Sequence, residues 1–166
     1  MARVSVVKCE TYEMDKVQKA VDTTFDNLGG LEKFVKSGDK VFLKLNLIIR
    51  KKPEDAATTH PAVVEAVARR LVELGAKVII GDTPGGPYNR ATLQSLYRVC
   101  GIDRAAQNSG AELNFDLSSS EYHNPDGVAT KMLTLIKPMM DCDKIITISK
   151  LKTHGMALYT GAVKVM

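Results

Sequence analysis

Residues 41–80 read VFLKLNLIIRKKPEDAATTHPAVVEAVARRLVELGAKVII, and this stretch decides the fold class. Its two ends, residues 41–46 and 77–80, are short, mainly apolar runs that are typical of buried strands. Between them, Pro61 favours the first turn of a helix, and apolar residues follow at helical spacing: Val64, Val67, Ala68, Leu71 and Leu74. A strand, a helix and a strand over about 40 residues form a βαβ unit, which has a parallel strand pair and a right-handed crossover.

The alternation of strands and helices continues on both sides of this unit. Toward the N-terminus, residues 3–8 predict a strand, and residues 15–28 predict an amphipathic helix that ends at Gly29. Toward the C-terminus, further elements follow: helices at 93–100 and 102–108, strands at 112–115 and 131–136, one helical turn at 138–142 and an apolar strand at 144–149. We therefore predict a three-layer α/β domain with a mostly parallel, Rossmann-like sheet, helices on both faces and an antiparallel addition near residues 117–136.

Length and composition fit one globular domain. The chain has 166 residues and a net charge of +4, with 45% hydrophobic and 25% charged residues, so we assign residues 1–166 to a single α/β domain. Aromatic residues make up only 5% and Trp is absent, which makes stacking platforms for nucleic-acid bases a poor interpretation. Residues 161–166 resemble the opening of a helix without a polar end, and we expect the N-terminal part of a longer protein.

Three cysteines, Cys9, Cys100 and Cys142, lie far apart and form no CxxC motif. This spacing gives no support for a zinc site, a cluster ligand set or a disulfide framework within the chain. Isolated thiols are typical of a reducing compartment. The N-terminal apolar run is too short for a signal peptide, and no stretch approaches the length of a membrane span. We therefore expect a cytoplasmic protein without a membrane partner.

Polar and charged residues follow the predicted strands at the points where the strands end. Because the carboxyl ends of parallel strands meet at one edge of a sheet, we expect these residues to line a common crevice. Ammonium groups, histidine and hydroxyls in such a crevice suit a phosphate or carboxylate ligand. We assign a ligand-binding role to Lys44, Asn46, His60, Thr83, Lys150, Lys152, Thr153 and Lys164.

Two residues of this edge are candidates for catalysis, Asp82 and His154. A histidine has an ordinary pKa of about 6.5, so it can give or take a proton near neutral pH. Common catalytic and phosphate-binding motifs such as GxxxxGK[ST], GxSxG and HExxH are absent from the chain. The convergence of several strand ends therefore supports a site better than any single motif does.

Each candidate residue also has a simpler interpretation. His60 lies beside Pro61 and is equally well placed to cap the helix, and residues 150–154 can form a solvated basic loop. A single metal ion held by His60, Asp82 and His154 is conceivable from the ligand types, since imidazole and carboxylate suit several transition metals. That hypothesis requires the three side chains to lie close together.

Three segments carry a resemblance to a known family: KLNLIIRKKPEDAATTHPAVVEAV at 44–67, VIIGDTPGGP at 78–87 and ITISKLKTHGMALYTGAVK at 146–164. They resemble the prokaryotic domain-of-unknown-function family numbered three hundred and sixty-two, whose members are often fused to ferredoxin-type iron–sulfur modules. The family's last motif continues with an asparagine and a short Phe-Gly, where this chain has Val165 and Met166. The resemblance implies redox biology but no particular reaction, and any [4Fe–4S] cluster would belong to a fused or partner module.

Two hypotheses of function follow from these observations. The first is an α/β domain, part of an enzyme, that binds an anionic small molecule at the carboxyl ends of its strands. The alternative is a redox scaffold without catalysis of its own, which docks a ferredoxin-type iron–sulfur module. Nucleic-acid binding rests only on the net charge of +4 and is the weakest of the three interpretations.

Overall fold

A four-stranded parallel sheet forms the centre of the structure, a computed structural model that describes residues 3–165. The strands lie in the order β3–β2–β1–β6, so β1 is paired on both sides, with β2 and with β6. Their bounds are β1 Lys40–Lys44, β2 Lys77–Gly81, β3 Glu112–Leu113 and β6 Lys144–Thr147. The predicted parallel pairing of the strands in residues 41–80 is confirmed.

Helices connect and cover these strands. They are α1 Met14–Leu28, α2 Pro61–Glu73, α3 Arg90–Val99, α4 Ile102–Ser109, α5 Lys137–Met140 and α6 Ala162–Val165, with short 3-10 turns at Leu31–Lys33 and Pro53–Asp55. Helix α1 ends at Gly29, whose φ of 101° places it in the left-handed region that glycine tolerates best. Helix α3 begins at Asn89, whose side-chain oxygen accepts a hydrogen bond from the Thr92 N–H at 2.9 Å.

Side-chain alternation along the strands gives the sheet two buried faces. Val41 and Leu43 of β1 belong to the main core, which also contains Leu71 of α2 and apolar residues of α3 and α4. Phe42, between them, lies in a separate core on the other face with Ile136 and Met139. Both faces of the sheet are therefore covered, which confirms the predicted three-layer α/β fold.

Two antiparallel hairpins are added to the parallel sheet. The first pairs β4 Ser119–His123 with β5 Met132–Ile136, which confirms the antiparallel addition predicted near residues 117–136. The second pairs β7 Lys152–His154 with β8 Leu158–Thr160. The sequence did not predict this hairpin, because strands of three residues carry too little alternation to be recognised.

The strand predicted for residues 3–8 was also wrong. In the structure this segment has no regular secondary structure and pairs with no strand among residues 3–165, and Val4 and Val6 are 84% and 91% exposed. The alternating pattern of RVSVVK is typical of a strand, but a strand also needs a neighbour to satisfy its backbone groups. Here the segment runs along the surface, and the Ser5 hydroxyl accepts a hydrogen bond from Asn27 at 3.1 Å.

Candidate functional site

The carboxyl ends of β1, β2 and β6 lie side by side. In the sheet register, Lys44 is opposite Gly81 on one side and Thr147 on the other. A Cβ atom at Gly81 would lie 2.5 Å from the Phe42 ring, so the close packing of β1 and β2 requires glycine there. The residues that follow each strand are thereby brought to one edge of the sheet, which we call the rim.

A buried ion pair forms the floor of the rim. Lys44 and Asp82 are 6% and 3% exposed, and the Lys44 ammonium donates to the Asp82 carboxylate. Asp82 also accepts hydrogen bonds from the backbone N–H groups of Leu47 at 2.6 Å and Thr83 at 2.8 Å. The remaining contact of the ammonium is with the Leu45 carbonyl at 3.2 Å. Two of these contacts, Lys44 with Asp82 and the Leu47 N–H with Asp82, fasten the end of β1 to the end of β2.

These contacts favour a structural role for Lys44 and Asp82. The Asp82 carboxylate already accepts hydrogen bonds from an ammonium and two backbone amides, which fix its position. The side chain of Thr83, in contrast, is exposed at the rim. The catalytic role of Asp82 and the ligand contacts of Lys44 and Thr83 stay predictions.

Thr59 joins β1 to β6 just beyond their last paired residues. Its hydroxyl accepts from the Asn46 N–H at 3.0 Å and donates to the Ile148 carbonyl at 2.7 Å. Its own N–H donates to the Asn46 carbonyl at 3.0 Å. The Asn46 side chain is 7% exposed, and its Oδ1 atom has no hydrogen-bond partner within residues 3–165. The predicted ligand residue Asn46 is thus fixed through its backbone and has an unsatisfied amide.

His60 caps helix α2, as the simpler interpretation proposed. Its Nδ1 atom accepts from the Ala62 N–H at 3.2 Å, and its ring stacks on Tyr12 with centroids 3.5 Å apart and planes inclined by 9°. Lys150 also contacts Tyr12, with its Nζ atom 3.3 Å from the hydroxyl and 5.8 Å from the ring centroid. Burial, and then the positive charge of Lys150, lower the pKa of His60, with Glu54 acting in the opposite direction.

Lys152 lies inside a group of positive charges. Its ammonium donates to the Ala57 carbonyl, and the side chain is half-buried. Burial lowers the pKa of Lys152, and the charges of Lys164 and Lys150 lower it further; only Asp82 acts in the opposite direction. We call Lys150, Lys152 and Lys164 the lysine cluster. None of the three forms an ion pair with a carboxylate within the described part of the chain.

The hairpin β7–β8 carries the other predicted residues of the last segment. Thr153 is exposed opposite Tyr159. His154 is half-buried, and its Nδ1 atom accepts from the N–H groups of Met156 at 3.2 Å and Ala157 at 3.0 Å. The ring therefore orders the hairpin turn through Nδ1, while Nε2 makes no hydrogen bond among the described residues. Its catalytic role stays a prediction.

The hypothesis of a metal ion shared by His60, Asp82 and His154 is contradicted. Across residues 3–165, no three His, Cys, Asp or Glu side chains are grouped so that they could hold a metal ion. Each of the three residues has another partner: His60 caps α2, Asp82 binds Lys44, and His154 binds its own turn. The rim brings cations together and leaves these potential ligands apart.

Comparison with known proteins places this architecture in a family. Residues 41–166 match the profile of the domain of unknown function DUF362. The chain belongs to the DUF362 family. The match covers β1 from Val41 onward, β2, the lysine cluster and the buried pair, and it leaves Tyr12 outside. No solved structure matches the chain.

One curated relative of this DUF362 chain is a thylakoid-associated protein of Synechocystis sp.. The two sequences are 32% identical over 166 residues, which covers 97% of this chain and 48% of the relative. The chain therefore spans about half the length of that protein. Among residues 3–165 of the DUF362 chain, no helix combines the length and the apolar character needed to cross a bilayer.

Tyr12 is a residue of the site that the sequence did not indicate. It precedes α1, in a segment with no apolar pattern or motif, and it reaches His60 and Lys150 only through the fold. Thr59 is another, because its position before His60 and Pro61 does not reveal that its hydroxyl joins two strands. A large cleft of about 920 Å³ lies along α2 and α4, and of the predicted site residues it includes His60 alone.

Proposed function

We propose that this DUF362 domain binds an anionic small molecule, bearing a phosphate or a carboxylate, at the carboxyl ends of β1 and β6. The lysine cluster supplies the positive charge, and Asn46 and Thr153 orient the ligand. The buried pair of Lys44 and Asp82 holds the strand ends in place beneath it. The domain would act as part of an enzyme, with His154 as the candidate for proton transfer.

The main support for this proposal is the lysine cluster. Three ammonium groups lie near enough to one another that Lys164 and Lys150 both lower the pKa of Lys152. Like charges held together in a partly desolvated site cost free energy, and a bound anion removes that cost. The nearby carboxylate, Asp82, is already bonded to Lys44 and cannot fully neutralise the cluster.

Two buried polar groups add support. Asn46 Oδ1 and Thr160 Oγ1 have no hydrogen-bond partner within residues 3–165, although their side chains are 7% and 0% exposed. A buried polar group without a partner is destabilising by about 1–3 kcal/mol. Asn46 follows β1, and Thr160 is paired with Lys152, so both belong to the segments that form the rim. Because both oxygen atoms are closed to solvent, a ligand would reach them by opening the rim.

The iron–sulfur scaffold remains the alternative proposal. Cys9, Cys100 and Cys142 are not grouped with other ligands in the described part of the chain, so a cluster would have to be held by a separate ferredoxin-type module.

We also propose a cytoplasmic location, which fits the three free thiols. The thylakoid association in the name of the Synechocystis relative describes that protein.

A thermal-shift screen tests the proposed function. Inorganic phosphate, sugar phosphates, nucleotides and organic acids would each be added to the protein over a range of concentrations. An anion at about 100 times its Kd stabilises the folded state by roughly 2.7 kcal/mol, which corresponds to a rise in Tm of about 5–10 °C for a domain of this size. Neutral analogues, such as the parent sugars and amides, should give no rise.

Matched variants show whether the binding is at the rim. Lys150→Gln and Lys164→Gln remove one charge each from the cluster, and both should reduce the shift. Lys77→Gln removes an exposed lysine from the opposite end of the sheet, at the start of β2, and should leave the shift unchanged. Equal losses in all three variants would indicate a general charge effect and would refute a site at the rim.

A further inference from the structure

The two edges of the central sheet differ in length and composition. At one edge, β3 has only two residues, and a strand this short offers little backbone to a further strand. At the other edge, β6 pairs with β1 on one side and with no second strand among residues 3–165. After Lys144, the β6 residues 145–147 carry no charge, and Ile145 is 39% exposed. We call this open side of β6 the β6 edge.

Two backbone N–H groups point out of the β6 edge. The Ile148 N–H donates to the Lys44 carbonyl of β1 at 2.8 Å. Successive peptide groups of a strand point to opposite sides, so the Ile146 N–H also points toward β1, whereas those of Ile145 and Thr147 point away from it. Neither of these two groups donates to a backbone carbonyl of residues 3–165. Unpaired groups in a row are a template for the pairing of another strand.

An apolar groove of about 380 Å³ lies against the β6 edge. Its lining includes Phe25 and Leu28 of α1, Phe34, and Ile145 and Ile146 of β6. The Phe34 side chain is 46% exposed, although it is one of the largest apolar side chains of this region. A strand that joins a sheet edge gains main-chain hydrogen bonds from the edge and specificity from pockets that accept its alternate side chains. The β6 edge and the groove together provide both.

We propose that the β6 edge and the groove bind a β-strand from the part of a DUF362 protein that lies outside the region matched by this chain. The matched region is 48% of the Synechocystis relative, so about half of that protein remains to supply such a strand. The order β3–β2–β1–β6 follows the doubly wound arrangement, in which a fifth strand pairs with the fourth.

The added strand lies parallel to β6, as the other strands of the sheet do. Its carbonyl groups accept hydrogen bonds from the N–H groups of Ile145 and Thr147. Its alternate side chains are apolar and cover Leu28 and Phe34 in the groove. The partner is therefore an extended apolar segment, and its docking would convert the β6 edge into an interior position of a larger parallel sheet.

Co-expression tests this proposal. The 166-residue chain would be produced together with the part of the Synechocystis relative outside the matched region, and the purified material would be examined by light scattering and by amide hydrogen exchange with NMR detection. We expect a complex with one copy of each polypeptide, in which the amides of Ile145 and Thr147 exchange at least about tenfold more slowly than in the 166-residue chain alone. The amide of Ile79 in β2, which already lies between β1 and β3, should exchange at an unchanged rate.

Two matched variants locate the contact. Ile145→Asp places a charge at the β6 edge and should abolish the complex. Val128→Asp adds the same charge at a fully exposed position between β4 and β5 and should leave the complex intact. The exchange rates of the wild-type complex decide the question even if Ile145→Asp fails to fold.

Three outcomes would overturn the proposal. The first is the absence of a complex, and the second is a complex in which the amides of Ile145 and Thr147 exchange as fast as in the 166-residue chain alone. The third is a dimer of the 166-residue chain that protects the same two amides, because a second copy would then be the occupant of the β6 edge.

Discussion

Two lysines at the same edge of the sheet have opposite electrostatic surroundings. Lys44 is 6% exposed, and its charge is compensated by Asp82, which is itself fixed by two backbone N–H groups. Lys152 is half-buried, donates to a main-chain carbonyl and faces the charges of Lys150 and Lys164. The buried pair is closed to further partners, and the lysine cluster is open to an anion.

Lys44 and Lys152 show that residues of one type can have different roles at the same edge of a sheet. A buried charge is tolerated only when it is paired, and breaking the pair is strongly destabilising. A group of like charges without a carboxylate destabilises the free protein slightly but can gain free energy when an anion binds. We therefore regard the Lys44–Asp82 pair as part of the support and the lysine cluster as part of the binding surface.

The largest predicted effect is the loss of stability in Lys44→Met, which is to be compared with Lys152→Met. Lys44→Met leaves Asp82 buried without its cation and should lower the free energy of unfolding by about 3–5 kcal/mol. Lys152→Met removes one of three like charges, and we expect a change within about 1 kcal/mol. Urea denaturation followed by circular dichroism measures both. A loss above about 3 kcal/mol in Lys152→Met would refute the difference between the two lysines.

Thr59→Val should have the next largest effect. It leaves the buried Asn46 N–H and Ile148 carbonyl without their partner, at a cost of about 1–3 kcal/mol in the free energy of unfolding. Thr58→Val is a matched control, because the neighbouring hydroxyl is equally buried but has no hydrogen-bond partner among residues 3–165. Chemical denaturation of both variants would show whether Thr59 joins β1 to β6; equal losses would argue against it.

The smallest effect concerns the pH dependence of stability. The folded protein holds the pKa of His60 below 6.5, so the unfolded chain binds more protons as the pH falls below that value. His60 therefore reduces stability as the pH falls from about 6.5 toward its folded pKa, and has no such effect above 6.5. His60→Asn keeps a capping side chain and should flatten the decrease in the urea midpoint between pH 7.5 and 5. His123→Asn, a change at an exposed histidine of β4, is the matched control for the substitution itself.

Periodic patterns made most of the fold predictable. The strands β1 and β2 and the helix α2 follow from apolar runs and helical spacing within residues 41–80, and their parallel pairing follows from the crossover between them. The segment 3–8 has an equally good strand pattern, but a pattern does not reveal whether a neighbouring strand exists. The hairpin β7–β8 was missed because its strands contain three residues each.

The site was predictable only as far as topology determines it. Strand ends meet by the geometry of a parallel sheet, so Lys44, Asp82 and Lys150 could be assigned to one rim in advance. Side-chain partners depend on contacts between distant positions, such as Tyr12 with His60, and no local pattern encodes them. The strand ends do meet, as the hypothesis of a shared metal required. The hypothesis was wrong because His60, Asp82 and His154 are not grouped as metal ligands among the described residues.

Isothermal titration calorimetry with the best anion from the thermal-shift screen tests whether the lysine cluster is the anion-binding site. The titration would compare the wild-type protein, the triple variant Lys150→Gln/Lys152→Gln/Lys164→Gln and the control Lys77→Gln. If the lysine cluster binds the anion, the triple variant should bind at least about 100-fold more weakly, since a hydrogen bond to a charged group contributes roughly 1.5–3 kcal/mol, while Lys77→Gln should match the wild type. Unchanged affinity in the triple variant would contradict the account.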